Sequence, residues 1–291
     1  MGDKTAIEWT DSTWNPLRGT KGTWSCIKIS TGCEFCYAQR LNVRLGGPEY
    51  KVGADTLRLD ETILTQPLRW KRPRRIFVCS MTDLFEERVP DEWIGQIFGI
   101  MLTTREQHTY QVLTKRAERL HGFIAKYSSS GGPLHPWPLP NVWLGVSVEN
   151  QARADERIPW LLKTPAAVRF LSVEPLVGPV DLEDWLEGFQ PFNPDLTRRK
   201  SPISWVICGG ESGGPPERAL VEKDITKIWY GGIHQGTFWY PKREALEWVR
   251  ALRDQCVAAG VPFFHKQWGG PTSKSGGRLL DGRTWDEFPG A

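Results

Sequence analysis

The chain has 291 residues, 40% of them hydrophobic, enough for one large domain or two small ones around a true core. Its formal net charge is +3, with 37 Lys and Arg against 34 Asp and Glu, a balance that excludes reading nucleic-acid binding from charge alone. No apolar run reaches 18 residues and the start, MGDKTAIEWTD, has no signal-peptide pattern, so a cytoplasmic protein without a membrane span is expected.

Residues 1–25 are polar, with Gly, Thr, Asn and Pro among tryptophans, and predict an irregular arm or a short strand pair. The chain holds 15 Trp. Core filling is the expected role for most of them, and stacking on bases is the alternative. Trp9, Trp14 and Trp24 fit the core reading least, because their neighbours are polar. Next comes WSCIKISTGCEFCYAQR (24–40), with Cys26, Cys33 and Cys36 spaced C-x6-C-x2-C. YAQRLNVRLGG (37–47) predicts a helix closed by Gly-Gly, and a looped stretch follows to about residue 65. LRWKRPRR (68–75) is a basic run, read as a solvated loop leading into a strand.

From residue 75 strands and helices alternate. RIFVCSM (75–81), HTYQVLT (108–114), NVWLGVSV (141–148), AVRFLSV (167–173), SWVICGG (204–210) and VPFFHKQW (261–268) are short apolar runs and predict buried strands. DEWIGQIFGIMLTT (91–104), RAERLHGFIAKY (116–127), ARADERIPWLLK (152–163) and KREALEWVRALRDQCVAAG (242–260) predict helices, and SSSGGPLHPWPLP (128–140) a loop. The alternation predicts one α/β domain over residues 1–291 with a parallel sheet and insertions near 181–203 and 221–240. The second insertion carries WYGGIHQGTFWY (229–240), read as a lid or substrate wall.

The predicted strands end in polar residues: Ser80-Met81-Thr82-Asp83, Thr114-Lys115-Arg116, Ser147-Val148-Glu149-Asn150, Ser172-Val173-Glu174-Pro175, Gly209-Gly210-Glu211-Ser212-Gly213 and His265-Lys266-Gln267-Trp268. Each alone reads as a helix cap or turn. Six in succession point to a barrel mouth, where C-terminal strand ends converge. The predicted fold is a partial (β/α)6-type TIM-like barrel of parallel strands with an irregular N-terminal arm. Glu149, Glu174, Glu211, Lys115, His265 and Lys266 would then face one cavity.

In a reducing compartment clustered cysteines bind metal or do chemistry more often than they form bridges. A structural zinc ion takes four Cys or His ligands, and the nearest His, His108, is remote in sequence. A disulfide would strand one thiol. A [4Fe–4S] cluster on three cysteines would leave one iron open to a ligand, whereas electron-transfer clusters use four. Cys79, Cys208 and Cys256 lie in apolar segments and read as small core residues.

Cys33-Glu34-Phe35-Cys36-Tyr37-Ala38 resembles the second half of the C-x3-C-x-aromatic-C motif of the radical S-adenosylmethionine superfamily, with Phe35 at the aromatic position. The first gap is six residues here instead of three, and Ser80-Met81-Thr82-Asp83 stands where the usual Gly-Gly-Glu follows a strand. The segments IEWTDSTWNP, STGCEFCYAQR, FVCSMTDLF, VLTKRAERL, LGVSVENQ, FLSVEPLVGPV, VICGGESG and VPFFHKQWG resemble a phage-associated three-cysteine family over residues 7 to 269.

The resemblance implies that Cys26, Cys33 and Cys36 ligate a [4Fe–4S] cluster that cleaves S-adenosylmethionine to a 5′-deoxyadenosyl radical, with flavodoxin or ferredoxin as electron donor. It implies Ser80, Thr82 and Asp83 as acceptors for the cofactor's ammonium, Ser147 and Glu149 for its ribose, with Glu174 able to do the same, and Lys115 for its carboxylate. Glu174, Glu211, His265, Lys266 and Lys115 are the expected catalytic residues. Some members of that superfamily, such as spore photoproduct lyase, act on DNA. The phage association and the RWKRPRR run therefore suggest a nucleobase or DNA substrate and a role in DNA modification. The alternative is a non-catalytic zinc or iron–sulfur protein that binds nucleic acid.

Overall fold

The computed structural model describes residues 5–53, 55–129, 132–187, 202–224 and 237–290. The chain divides into two compact units, Met1–Ser147 with Asp155–Ser172, and Val148–Ala154 with Val173–Ala291.

The first unit begins with strands β1 (Ser12–Trp14) and β2 (Leu17–Arg18), helix α1 (Tyr37–Arg44), β3 (Arg58–Leu59) and α2 (Glu61–Leu64). There follow β4 (Arg74–Val78), α3 (Asp91–Thr103), β5 (His108–Thr114), α4 (Ala117–Tyr127), β6 (Val142–Ser147), α5 (Gln151–Lys163) and β7 (Val168–Val173). β1, β4, β5, β6 and β7 form a parallel sheet in that order. The register sets Val78 beside Trp14 and Val112, Leu144 beside Val112, and Leu171 beside Val146.

Alternate residues of a strand face opposite sides. Ile76, Val78, Tyr110, Val112, Leu144 and Val146 are all fully or almost fully buried. In α3 the apolar residues Ile94, Ile97, Phe98 and Met101 follow the i, i+3, i+4, i+7 spacing of one helix face, and all are buried. Asp91 and Glu92 occupy its first turn, where negative charge suits the helix dipole. α4 buries Leu120, Phe123 and Ile124, and Phe98 meets Phe123 at 5.6 Å between ring centroids.

The second unit contains α6 (Glu183–Glu187), β8 (Trp205–Gly209), β9 (Val221–Asp224), β10 (Phe238–Pro241), α7 (Arg243–Ala259) and β11 (Phe263–Gln267). β8 and β11 are parallel, with Val206 beside Phe263. β9 and β10 form an antiparallel pair. α7 buries Ala245, Val249, Leu252 and Cys256 and is closed by Gly260 at φ +66°. The chain is thus α/β, with seven parallel strands that alternate with helices in the manner of a partial (β/α) barrel. Residues 188–201 and 225–236, the larger part of the two expected insertions and of the expected lid, lie outside the described residues.

Two local expectations change. The arm supplies a seventh parallel strand, β1, whose Trp14 is fully buried and donates from Nε1 to the Ile63 carbonyl at 2.8 Å. Trp9 and Trp24 are buried too, so all three tryptophans of the polar stretch are core residues. The first long strand stops at Val78, because Cys79 takes φ +56°, in the left-handed region that breaks a strand.

The basic run also acquires partners. The Arg74 guanidinium lies 4.6 Å over Trp70 and donates to Ser12 Oγ at 3.0 Å. The Arg75 backbone N–H donates to Asp11 at 2.7 Å, and its side chain pairs with the same carboxylate. The run therefore fastens the edge strand.

The other face of the sheet is stoppered by aromatic rings. Trp9 meets Phe77 at 4.7 Å and Phe170 at 6.5 Å, and Gln111 Nε2 donates to the Trp9 carbonyl at 3.2 Å. Phe170 stands beside Gly145 in the register, and a Cβ on Gly145 would lie 2.5 Å from its ring. Gly145→Ala is accordingly expected to lower unfolding stability by about 1–3 kcal/mol, through overpacking of a fully buried ring. Urea denaturation read by tryptophan fluorescence checks this, and an unchanged midpoint would show that the ring moves aside freely.

Candidate functional site

In the first unit the three-cysteine loop is tied to the turn that follows β4. Cys26, Cys33 and Cys36 are half-buried free thiols. Cys36 is the residue before α1, so the helix carries the last thiol at its start. Cys26 and Cys36 pack against a small core of Trp24, Ala38, Tyr50 and Met81. Two phenols reach the turn: Tyr37, next to Cys36, donates to the Ser80 carbonyl at 2.6 Å, and Tyr50, in the core beneath the thiols, donates to the Met81 carbonyl at 2.7 Å. Asn15 Oδ1 accepts from Ser80 Oγ at 3.2 Å and from the Met81 N–H at 3.0 Å.

Cys33 lies within 3.7 Å of Ser30 Oγ, and Lys28 Nζ donates to the Glu34 carbonyl at 2.9 Å. Phe35 is half-buried on the same loop. Burial, reinforced by the nearby Asp83 charge, pushes the Cys26 thiol up to about 12. Among the described residues no three Cys, His, Asp or Glu side chains are drawn together into one coordination sphere. The donor set is nonetheless that of a thiolate site: three unpaired thiols on one short loop, beside a buried polar turn. A bound cation deprotonates such thiols outright.

Asp83, expected as an acceptor for a ligand's ammonium, is instead saturated within the protein. Its Oδ1 accepts from Thr114 Oγ1 at 2.7 Å and the Phe85 N–H at 3.0 Å. Its Oδ2 accepts from the Lys115 N–H at 3.0 Å and from Arg116 Nη1 at 3.2 Å. Four donors fill a carboxylate's capacity. Thr82 differs, because its buried hydroxyl has no hydrogen-bond partner. The Lys115 side chain is half-buried. Ser147 is buried at the end of β6, and its carbonyl accepts from Arg157 Nη1 at 2.8 Å.

In the second unit Glu149 is fully buried. Glu174 pairs with Lys266 at 3.1 Å. A Cβ on Gly209 would lie 2.4 Å from Glu174 Oε1, so the glycine gives that carboxylate its room. Glu211 pairs with Arg218 at 2.8 Å, and Gly214 makes the same kind of space for it.

His265, expected as a proton donor, is fully buried, stacks edge-on against Trp268 at 4.6 Å, and has no hydrogen-bond partner on either ring nitrogen. Burial, with a smaller push from Arg278 against a pull from Asp286, lowers its pKa to about 3. It is a neutral core ring and not an acid at neutral pH.

Sequence reasoning missed Asn15, Tyr50, Arg88 and Arg116. Their polar atoms are aimed at backbone or hydroxyl groups of distant segments, and no spacing in the chain announces that. The Tyr37 contact falls at the first helical residue after Cys36, where the motif could have drawn attention to it.

The model of a family described as "Protein of unknown function (DUF5131)" matches residues 4–243 and 241–289. No curated protein matches the chain. Among solved structures, a cysteine-to-serine mutant of spore photoproduct lyase is similar over 89% of this chain and 76% of its own, with a TM-score of 0.52 at 12% identity. A tyrosine-to-phenylalanine mutant of the same enzyme is similar over 86% and 74%, with a TM-score of 0.49 at 12% identity. The first likeness is one of fold. Among the described residues no helix is long and apolar enough to cross a membrane.

His265 gives this region a pH signature. Its folded pKa lies below the ordinary histidine value, so above about 6.5 both folded and unfolded states are neutral there and nothing is lost. As pH falls from 6.5 toward 3 the unfolded chain takes up a proton that the folded one refuses, and stability drops. Between pH 7 and pH 5 the drop owed to this ring is expected to be about 2 kcal/mol. Urea midpoints of wild type and His265→Gln at both pH values measure it. Equal pH dependence in the two proteins would show that the ring does not stay neutral.

Proposed function

The chain belongs to the DUF5131 family, and we propose that it is a radical S-adenosylmethionine enzyme whose [4Fe–4S] cluster is held by Cys26, Cys33 and Cys36, with a nucleobase or DNA as substrate. The observation that supports this reading is that Tyr37, beside Cys36, and Tyr50, in the core against which Cys26 and Cys36 pack, both hydrogen-bond to the Ser80–Asp83 turn. Under this reading the thiols would take the cluster and the nearby hydroxyls of Ser80 and Thr82 the polar end of the cofactor.

The bound cluster and S-adenosylmethionine supply one-electron radical chemistry, and the protein supplies orientation and exclusion of water. Ser80 and Thr82 offer hydroxyls to the cofactor's ammonium, and the partnerless Thr82 hydroxyl is the stronger acceptor. Lys115 offers a cation to the carboxylate. Asp83 serves these groups indirectly, by fixing the backbone of Lys115 and the guanidinium of Arg116. Phe35 shields the loop. Ser147, buried at the end of β6, is assigned to a ribose hydroxyl.

Within the second unit, the Glu174–Lys266 pair provides a proton acceptor and a proton donor side by side, and Glu211 with Arg218 a second charged pair. The nucleic-acid part of the reading draws on fold likeness to an enzyme named as a lyase of spore photoproduct. Electron supply falls to a separate carrier of the flavodoxin or ferredoxin kind.

Electron paramagnetic resonance of the anaerobically reconstituted, dithionite-reduced protein tests the proposal. About four irons per chain and a [4Fe–4S]+ signal that changes on adding S-adenosylmethionine are expected. The Cys26→Ala, Cys33→Ala, Cys36→Ala triple variant should lose both, and 5′-deoxyadenosine should form only in wild type. A loaded cluster that ignores S-adenosylmethionine and yields no 5′-deoxyadenosine would overturn the radical reading. Zinc in place of iron would make the loop a structural site.

A further inference from the structure

Cys26 is bracketed by two arginines from separate segments of the first unit. On its N-terminal side Arg88 Nη2 donates to the Ser25 hydroxyl at 3.1 Å and Nη1 to the Asp55 carbonyl at 2.7 Å. The same guanidinium forks onto Glu86, through Nε at 2.9 Å and Nη2 at 2.5 Å, and Glu86 is fully buried. On the C-terminal side Arg116 Nη2 donates to the Ile27 carbonyl at 3.1 Å, while Nη1 engages Asp83 and Nε engages Glu87 at 2.8 Å.

One residue further out, Asn42 of α1 clamps Trp24. The Trp24 N–H donates to Asn42 Oδ1 at 2.9 Å, and Asn42 Nδ2 donates to the Trp24 carbonyl at 2.8 Å. Gly47 leaves the space, since a Cβ there would lie 2.4 Å from Asn42 Oδ1. Residues 24, 25 and 27 are thus each held by a side chain from elsewhere in the unit.

Stability alone does not account for this. Burying an ion pair costs about as much desolvation as it regains in attraction, and apolar replacements of similar volume are often as stable. What a guanidinium locked to a carboxylate supplies is direction: its remaining N–H groups point to fixed places. Both arginines point them at the residues on either side of Cys26. Around Cys33 the loop carries a thiol–hydroxyl approach to Ser30 at 3.7 Å and an exposed lysine on the Glu34 carbonyl.

We propose that Arg88 and Arg116 are positioning residues that fix Cys26 as the reference thiol of the three-cysteine site, against which Cys33 and Cys36 close on a metal. This rests on the cluster reading and deepens it.

The test uses full-length protein with Ser25→Ala, which cuts the Arg88 link and leaves the Arg88–Glu86 pair in place, and Arg116→Lys, which keeps the charge and loses the fork. In the metal-free protein, anaerobic alkylation by N-ethylmaleimide, mapped by mass spectrometry, gives the Cys26-to-Cys33 rate ratio. Each variant is expected to raise that ratio about fivefold, as loss of one hydrogen bond allows. A general loosening would raise both rates, and that of buried Cys79, without moving the ratio. In the reconstituted protein, iron release to a chelator should be about tenfold faster, as for one lost charge-assisted hydrogen bond.

An unchanged ratio in a folded Ser25→Ala protein would overturn the proposal even if iron loads normally. A wild type that takes up no iron while the ratio still responds would instead remove the cluster reading and leave Cys26 as a fixed thiol of some other site.

Discussion

The geometry of the first unit depends on one saturated carboxylate. Asp83 receives the Phe85 N–H from its own turn, Thr114 Oγ1 and the Lys115 N–H from the end of β5, and a guanidinium N–H from Arg116. Two of these donors are backbone N–H groups, of Phe85 within the turn and of Lys115 just past the end of β5. Through Arg116 the same network reaches Ile27, next to Cys26. A strand end, a neighbouring strand end and the three-cysteine loop are thereby linked through a single, nearly buried group. Removing one partner of such a buried pair leaves an uncompensated charge, and that costs about 3–5 kcal/mol, far more than an intact pair contributes.

Saturation also decides which groups remain for a ligand. A side chain whose hydrogen-bonding capacity is full positions others, and one with spare capacity can bind. By that criterion Asp83 belongs to the scaffold, whereas the Thr82 hydroxyl keeps its capacity. In the second unit, space does comparable work. Gly209 and Gly214 stand where any side chain would collide with Glu174 and Glu211, so two carboxylates keep orientations that reach Lys266 and Arg218. Glycine at these positions is explained by close approach, since both have ordinary backbone angles.

The α/β alternation was legible because its signal is physical and local. The strand over His108–Thr114 and the helices near 91–103, 117–127 and 243–259 stand where apolar periodicity placed them. β1 was not legible. Three residues are too few for a period-2 pattern, and Trp14 is buried by a long-range partner at Ile63. The three thiols stood out by spacing. The roles of Asp83 and His265 did not, because a residue type announces what a side chain can do and only the fold decides whether its atoms are already occupied or shut away from water. His265 follows Phe263 and Phe264 in a strand, and that apolar company was the available sign of a core position.

Charge gives the same lesson on a larger scale. In the sequence the RWKRPRR run suggests a surface for phosphates. In the folded chain Arg75 answers Asp11, Arg88 answers Glu86, Arg116 answers Asp83 and Glu87, Arg218 answers Glu211, Arg250 and Arg253 answer Asp281, and Arg278 answers Asp286. Guanidinium groups committed to carboxylates contribute little long-range field, because the paired charges cancel beyond a Debye length. Arg74 and Arg75 begin β4, whereas the Ser80–Asp83 turn follows its other end, about 13 Å along the strand at its usual rise. The basic run and that turn therefore lie at opposite ends of β4. At the turn itself the Thr82 hydroxyl keeps hydrogen-bonding capacity to spare.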